Sequence, residues 1–140
     1  PLWSRGLGDV YKRQLLRQYV EAKETADIID RYREIVNFDV WRATCEAEVT
    51  EPAIKAREAM WRAEREFENA RLQTAKQAYE ESFAAWREVL DASPVLRKDQ
   101  ITKDDLNEVV DRYRKLLEQL DEPFPKEFPL QDILSPRPAQ

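Results

Sequence analysis

The sequence predicts an all-α protein: an antiparallel helical bundle built of helix hairpins and closed by an extended, Pro-rich C-terminal tail. Three observations predict it. Both glycines, Gly6 and Gly8, lie near the start, so residues 15–140 contain none, against an average usage of about 7%. A chain without Gly reaches positive φ only at a cost. Primed hairpin turns, phosphate-cradling loops and nucleophile elbows therefore lose their usual residue. Apolar residues recur three or four apart over long stretches, the spacing of one helix face. Finally, prolines gather at the expected element ends, and five of them lie in the last eighteen residues.

The elements follow in order. Residues 15–48 hold neither Pro nor Gly, and an apolar stripe runs through Tyr19, Ile28, Ile29, Tyr32, Ile35 and Val36, then Trp41, Cys45 and Val49. Asn37 and Asp39 mark a break or kink, which makes this one helix or two. Thr50-Glu51-Pro52 reads as a helix start, with Thr as N-cap and Pro in the first turn. The next stripe is Ala53, Ala56, Met60, Ala63, Phe67 and Ala70; its small residues allow close helix–helix approach, and Trp61, off that line, predicts a second buried face. A turn is expected at Asn69–Thr74, the competing reading being one uninterrupted helix over 52–92. A third stripe follows: Leu72, Ala75, Tyr79, Ser82, Trp86 and Val89, with Phe83 and Leu90 beside it. Ser93-Pro94 ends it, because the residue before Pro is driven out of the α region. Thr102 is expected to cap the fourth helix, with Asp104 and Asp105 at its positive end. Leu106, Val109, Val110, Tyr113, Leu116, Leu117 and Leu120 form its apolar face, and Pro123 stops it. Residues 123–140 are expected to be extended, anchored by Phe124, Phe128, Leu130, Ile133 and Leu134 and fraying near Ser135–Gln140.

Composition excludes more function classes than it suggests. The chain has no His and one Cys. No His-based triad, zinc site or Glu-x-x-His di-iron motif can be assembled from it. Cys45 excludes an intramolecular disulfide and Cys-cluster metal sites; it reads as a small buried apolar residue. With 23 basic and 28 acidic residues the net charge is −5, a poor balance for nucleic-acid binding. No apolar run approaches the ~18 residues that span a bilayer. Glu64, Glu66 and Glu68 alternate around one helix, and Glu80 and Glu81 diverge, so these carboxylates read as solvated rather than catalytic. Most arginines lie three or four residues from an acid, which predicts helical ion pairs worth ~0.2–0.5 kcal/mol each. No catalytic, cofactor-binding or metal-ligating residue is expected.

Three resemblances bear on this reading. The run Tyr79–Pro94 (YEESFAAWREVLDASP) resembles the second helix of a tetratricopeptide repeat, through Ser82, Trp86, Val89 and the closing Pro94. The preceding helix lacks that family's Trp-Leu-Gly-Tyr pattern, so the resemblance covers about one hairpin and implies helix-pair packing. Arg31–Glu48, Tyr79–Asp91 and Leu120–Leu130 are together similar to the C-terminal region of a group of uncharacterised, membrane-anchored planctomycete proteins, some of which carry an iron-responsive label. That resemblance implies a bacterial, membrane-anchored parent; no set of Glu and His residues here supports iron binding. Lastly, Ser4–Gln14 (SRGLGDVYKRQ) is identical to one reading frame of a transposase-type sequencing adapter. The resemblance implies an artefact over residues 1–14, a metagenomic fragment whose native chain starts near Leu15, a helical domain over 15–122 and the tail over 123–140.

The function expected is that of a non-enzymatic protein-interaction or scaffolding segment at the C-terminus of a larger protein. The alternative is a structural spacer or coiled-coil-like oligomerisation element. Tyr79, Phe83, Trp86 and Tyr113 are the residues expected to line a partner groove, core packing being the competing use of the same rings. The expected partner is a protein or peptide, not nucleic acid. A homo-oligomer is compatible with the long helices, and no cofactor is expected.

Overall fold

The computed structural model describes residues 2–134, with side chains from residue 5 onward. Among the described residues there are six helices and no strand, so the protein is all-α. The chain forms two compact units that divide after Asp39.

The first unit is a single helix, α1 (Leu2–Ile35). Every side chain from residue 5 to residue 37 is exposed. The helix ends where the sequence predicts a break: Asn37 sits in the left-handed region at φ 51, and its N–H donates to the Glu34 carbonyl. Asn tolerates that conformation better than most residues. The Arg33 guanidinium then stacks over the Phe38 ring, 5.3 Å from its centroid.

The second unit is built on an alanine seam. Helix α3 (Glu51–Glu68) and helix α4 (Leu72–Ala92) form an antiparallel hairpin, so the uninterrupted helix over 52–92 does not occur. Ala53, Ala56, Ala59 and Ala63 on α3 and Ala75, Ala78 and Ala85 on α4 are all buried. Side chains this small let the two backbones approach closely. Ser82, fully buried on α4, donates its hydroxyl to the Ala56 carbonyl at 2.8 Å. The interior therefore holds a satisfied polar group across the seam. Trp61 buries no second face; it is 61% exposed.

Helices α5 and α6 pack on α4. Helix α2 (Phe38–Glu48) contributes Ala43 to the core. The short α5 (Pro94–Lys98), not anticipated from the sequence, starts directly at Pro94, with the Ser93 hydroxyl accepting from Leu96 N–H. Helix α6 (Gln100–Gln119) is capped by Asp99 rather than Thr102: the Asp99 carboxylate accepts from both the N–H and the hydroxyl of Thr102 at 2.8 Å. Asp is as good an N-cap as Ser or Asn, so three earlier residues join the helix and Asp104 and Asp105 move out of its first turn. Leu106, Val110, Tyr113, Leu116 and Leu117 are buried as the stripe predicts.

Two helix ends solve the missing-glycine problem in the same way. Ala70 (φ 58) follows α3 and Asp121 (φ 57) follows α6, both left-handed. At each, two N–H groups turn back to the last helical carbonyls: Ala70 to Phe67 and Arg71 to Glu66, then Asp121 to Glu118 and Glu122 to Leu117. This is the paired bonding that usually recruits Gly. A side chain there costs roughly 1 kcal/mol. Ala70→Gly is therefore expected to raise stability by up to ~1 kcal/mol, read as a higher denaturation midpoint at an unchanged slope.

The tail after α6 is not extended throughout. Residues 122–125 run without helix or turn, but Gln131 N–H bonds to the Phe128 carbonyl, and Ile133 and Leu134 bond to Leu130. Pro129 occupies the second position of the first of these turns, where its fixed φ is favoured. All of the tail's expected anchors pack on the core: Leu130, Ile133 and Leu134 are buried, and Phe124 and Phe128 are half-buried. The expected fraying at Ser135–Gln140 lies outside the described residues.

Candidate functional site

Tyr79 and Phe83, one turn apart on α4, face Tyr113 on α6. Their rings form one cluster: Tyr79 and Phe83 stack at 6.2 Å, Phe83 meets Tyr113 edge-on at 5.4 Å, and Tyr79 lies 5.9 Å from Tyr113. All three are 1% exposed. Trp86 packs against the same core at its margin, half-buried. The sequence-predicted residues are thus brought together, and three of the four lie in the interior.

What covers them is the chain's own tail. Phe128 sets its edge on Phe83 at 5.0 Å, and Phe124 sets its edge on Tyr113 at 6.0 Å; the two tail rings touch each other at 5.1 Å. Arg114 stacks over the outer face of Phe124, 4.2 Å from its centroid. The groove between α4 and α6 is an aromatic slot filled in cis by a segment with Pro beside each Phe. Edge-to-face pairs of this kind contribute about 0.5–1.5 kcal/mol beyond burial.

Ion pairs fasten the tail at both ends. At its start, Glu122 accepts from Lys76 and from Gln73 on α4. At its end, Asp132 bridges Arg87 and Arg97, both of which also hold Asp91, and Arg87 donates to the Pro129 carbonyl at 2.9 Å. A shallow groove lies along this end, between Arg87 and residues 127–132. The arginines therefore do more than the helical pairing expected of them: Arg62–Glu81, Arg112–Glu64 and the Asp132 bridges join separate elements. No sequence spacing could have shown this, because Arg87 and Asp132 are 45 residues apart.

The electrostatics follow from these contacts. The Lys76 ammonium, then the Gln73 amide, hold the Glu122 carboxyl below the usual range, and Arg87 does the same for Asp132. A carboxyl with a lowered folded pKa stabilises the fold fully above its ordinary pKa, and that contribution disappears as pH falls through the folded value. The melting temperature is therefore expected to hold between neutral pH and about 5 and to drop below about pH 4. Asp132→Asn should flatten part of that drop, and added salt should weaken the Asp132 end of the clamp at neutral pH, because that carboxylate is 53% exposed. Burial, reinforced by a 2.9 Å hydrogen bond to Glu80, pushes the Tyr113 hydroxyl well above its ordinary value. The neutral phenol thus belongs to the fold.

Elsewhere the side chains offer little chemistry. Cys45 is exposed, not buried as its apolar spacing suggested, because α2 turns Ala43 rather than Cys45 to the core. Among the described residues no group of His, Cys, Asp and Glu could hold a metal ion, and no helix is long and apolar enough to cross a membrane. No protein-family model, curated protein or solved structure matches the chain.

Proposed function

We propose that this chain is a non-enzymatic protein-interaction or scaffolding segment whose α4–α6 groove holds an extended, proline-flanked aromatic peptide. One observation carries the reading: the groove already holds such a segment, Pro123–Leu134, through two Phe rings and a ring of arginines. Grooves lined by aromatic rings suit proline-rich ligands, because the extended backbone is preformed and loses little entropy on binding. The α3–α4 hairpin, with its small residues at the crossing and Pro94 closing α4, supports reading the scaffold as tetratricopeptide-like helix-pair packing.

The test is a titration of the full chain with a fluorescent peptide spanning residues 121–134. In Phe124→Ala/Phe128→Ala the chain's own segment no longer fills the slot, and saturable binding in trans is expected. The unaltered chain should bind far more weakly. A variant that keeps its near-UV signal and cooperative melt yet gives no saturable anisotropy change speaks against the groove.

The second reading, an oligomerisation or spacer element, is favoured by a different observation. Helix α1 carries Leu15, Leu16, Tyr19, Val20, Ile28, Ile29, Tyr32 and Ile35, each 45–73% exposed. Isolated helices are marginal in water and usually draw their stability from packing an apolar face.

A further inference from the structure

We propose that α1 pairs antiparallel with α1 of a second copy of this chain. The inference rests on the second reading above and not on the groove, and it concerns the first unit alone. Tyr19, Ala22, Ala26, Ile29, Arg33 and Val36 follow one another at spacings of three and four. That alternation keeps a single seam facing a partner helix in a coiled coil. Five of them lie in α1 and Val36 directly follows its last residue; all six side chains are exposed, so the seam stands open.

Side-chain size fixes the direction. In a parallel pair each seam residue meets its own copy: Ala26 meets Ala26, which leaves a gap, and Arg33 meets Arg33, which places like charges together. In an antiparallel pair centred between Asp27 and Ile28, every small residue meets a larger one. Ala26 faces Ile29 of the second copy, Ala22 faces the aliphatic stem of Arg33, and Tyr19 faces Val36; symmetry makes each contact twice. Charge agrees with size. Lys23 flanks the seam on the side where the antiparallel partner presents Asp30, so opposite charges meet twice. Asp30 already lies 4.0 Å from Arg33 in its own helix, and Lys23 adds the second cation that its exposed carboxylate can accept. Tyr32 lies along the opposite flank, over Thr25 of the second copy, whose hydroxyl is already used on the Glu21 carbonyl and turns its methyl outward. A second copy therefore satisfies both the volume and the charge pattern of this face.

Sedimentation equilibrium of the full chain at micromolar concentration, combined with one distance measurement, tests the proposal. A dimer is expected, and Ile29→Glu should weaken it at least about tenfold, because two buried side chains are lost per pair. Lys23→Asp should weaken it too, and adding Asp30→Lys to that variant should restore it. A nitroxide at Arg17→Cys, with Cys45→Ser to leave one label site, reads the direction. Antiparallel pairing places the two labels about 30 Å apart along the helix axis, whereas parallel pairing brings them within roughly 20 Å. These substitutions lie on exposed positions, and near-UV circular dichroism checks that the second unit stays folded. A monomeric chain, a dimer insensitive to Ile29→Glu, or the short label distance overturns the proposal. A dimer that responds to Ile29→Glu, is rescued by the charge swap and shows the long distance establishes it.

Discussion

Phe83→Ala is expected to destabilise the second unit by ~3–5 kcal/mol, the range for truncating a fully buried aromatic ring. The size of the effect follows from where the ring sits. Phe83 touches Tyr79 within its own helix, Tyr113 on α6 and Phe128 in the tail, so no single neighbour can collapse into the space it leaves. For a unit of roughly 100 residues a loss of that size lowers the melting temperature by tens of degrees, at about 4–8 °C per kcal/mol. Trp61→Ala is the control. Its ring is 61% exposed, with Arg65 stacked over it at 5.0 Å, so the same kind of truncation should change stability by less than about 0.5 kcal/mol. Denaturant melts of the two variants beside the unaltered chain check both numbers, and similar losses in the two would mean that the aromatic cluster is not the core.

Ending the chain after Glu122 should have a still larger effect. The segment that follows buries Leu130, Ile133 and Leu134 and half-buries Phe124 and Phe128. At ~1.5–3 kcal/mol for each fully buried side chain, the three aliphatic residues alone stabilise the unit by roughly 5–9 kcal/mol. A domain this small has a total stability of only ~5–15 kcal/mol. The shortened chain is expected to keep helical far-UV signal from α3, α4 and α6 while losing the near-UV signal of its packed rings and its cooperative melt. A sharp melt with an intact near-UV spectrum would show that the segment merely decorates a finished core.

Much of this arrangement is legible in the sequence, and the rest is not for identifiable reasons. Stripes at helical spacing place α1, α3, α4 and α6, and Asn37, Pro52 and Pro94 mark boundaries because each has a backbone restriction of its own. Two separate stripes, one through Tyr79 with Phe83 beside it and one through Tyr113, indicate rings on apolar faces. They cannot indicate that the chain's last segment covers them, since that depends on a contact between residues far apart in sequence. The missing glycines argue correctly against sheets, since the described residues hold no strand. They mislead about turns: Ala70 and Asp121 adopt positive φ regardless, held by paired hydrogen bonds to the preceding helices. Cys45 lies on an apolar spacing and Trp61 is expected to bury a second face, yet both stay exposed, because periodicity describes a helix face without saying whether another element lies against it. Asp99, three residues before Thr102, caps α6 instead, and residue type alone does not choose between them because Asp and Thr are both favoured N-caps.

A double-mutant cycle between Phe83 and Phe128 tests most directly whether the tail completes the aromatic core. The two rings meet edge-on at 5.0 Å, one on α4 and one 45 residues later in the tail. With Phe83→Ala, Phe128→Ala and the double substitution melted under the same conditions, a favourable coupling of about 0.5–1.5 kcal/mol is predicted. Strict additivity, with Phe128→Ala itself near neutral, would contradict the account.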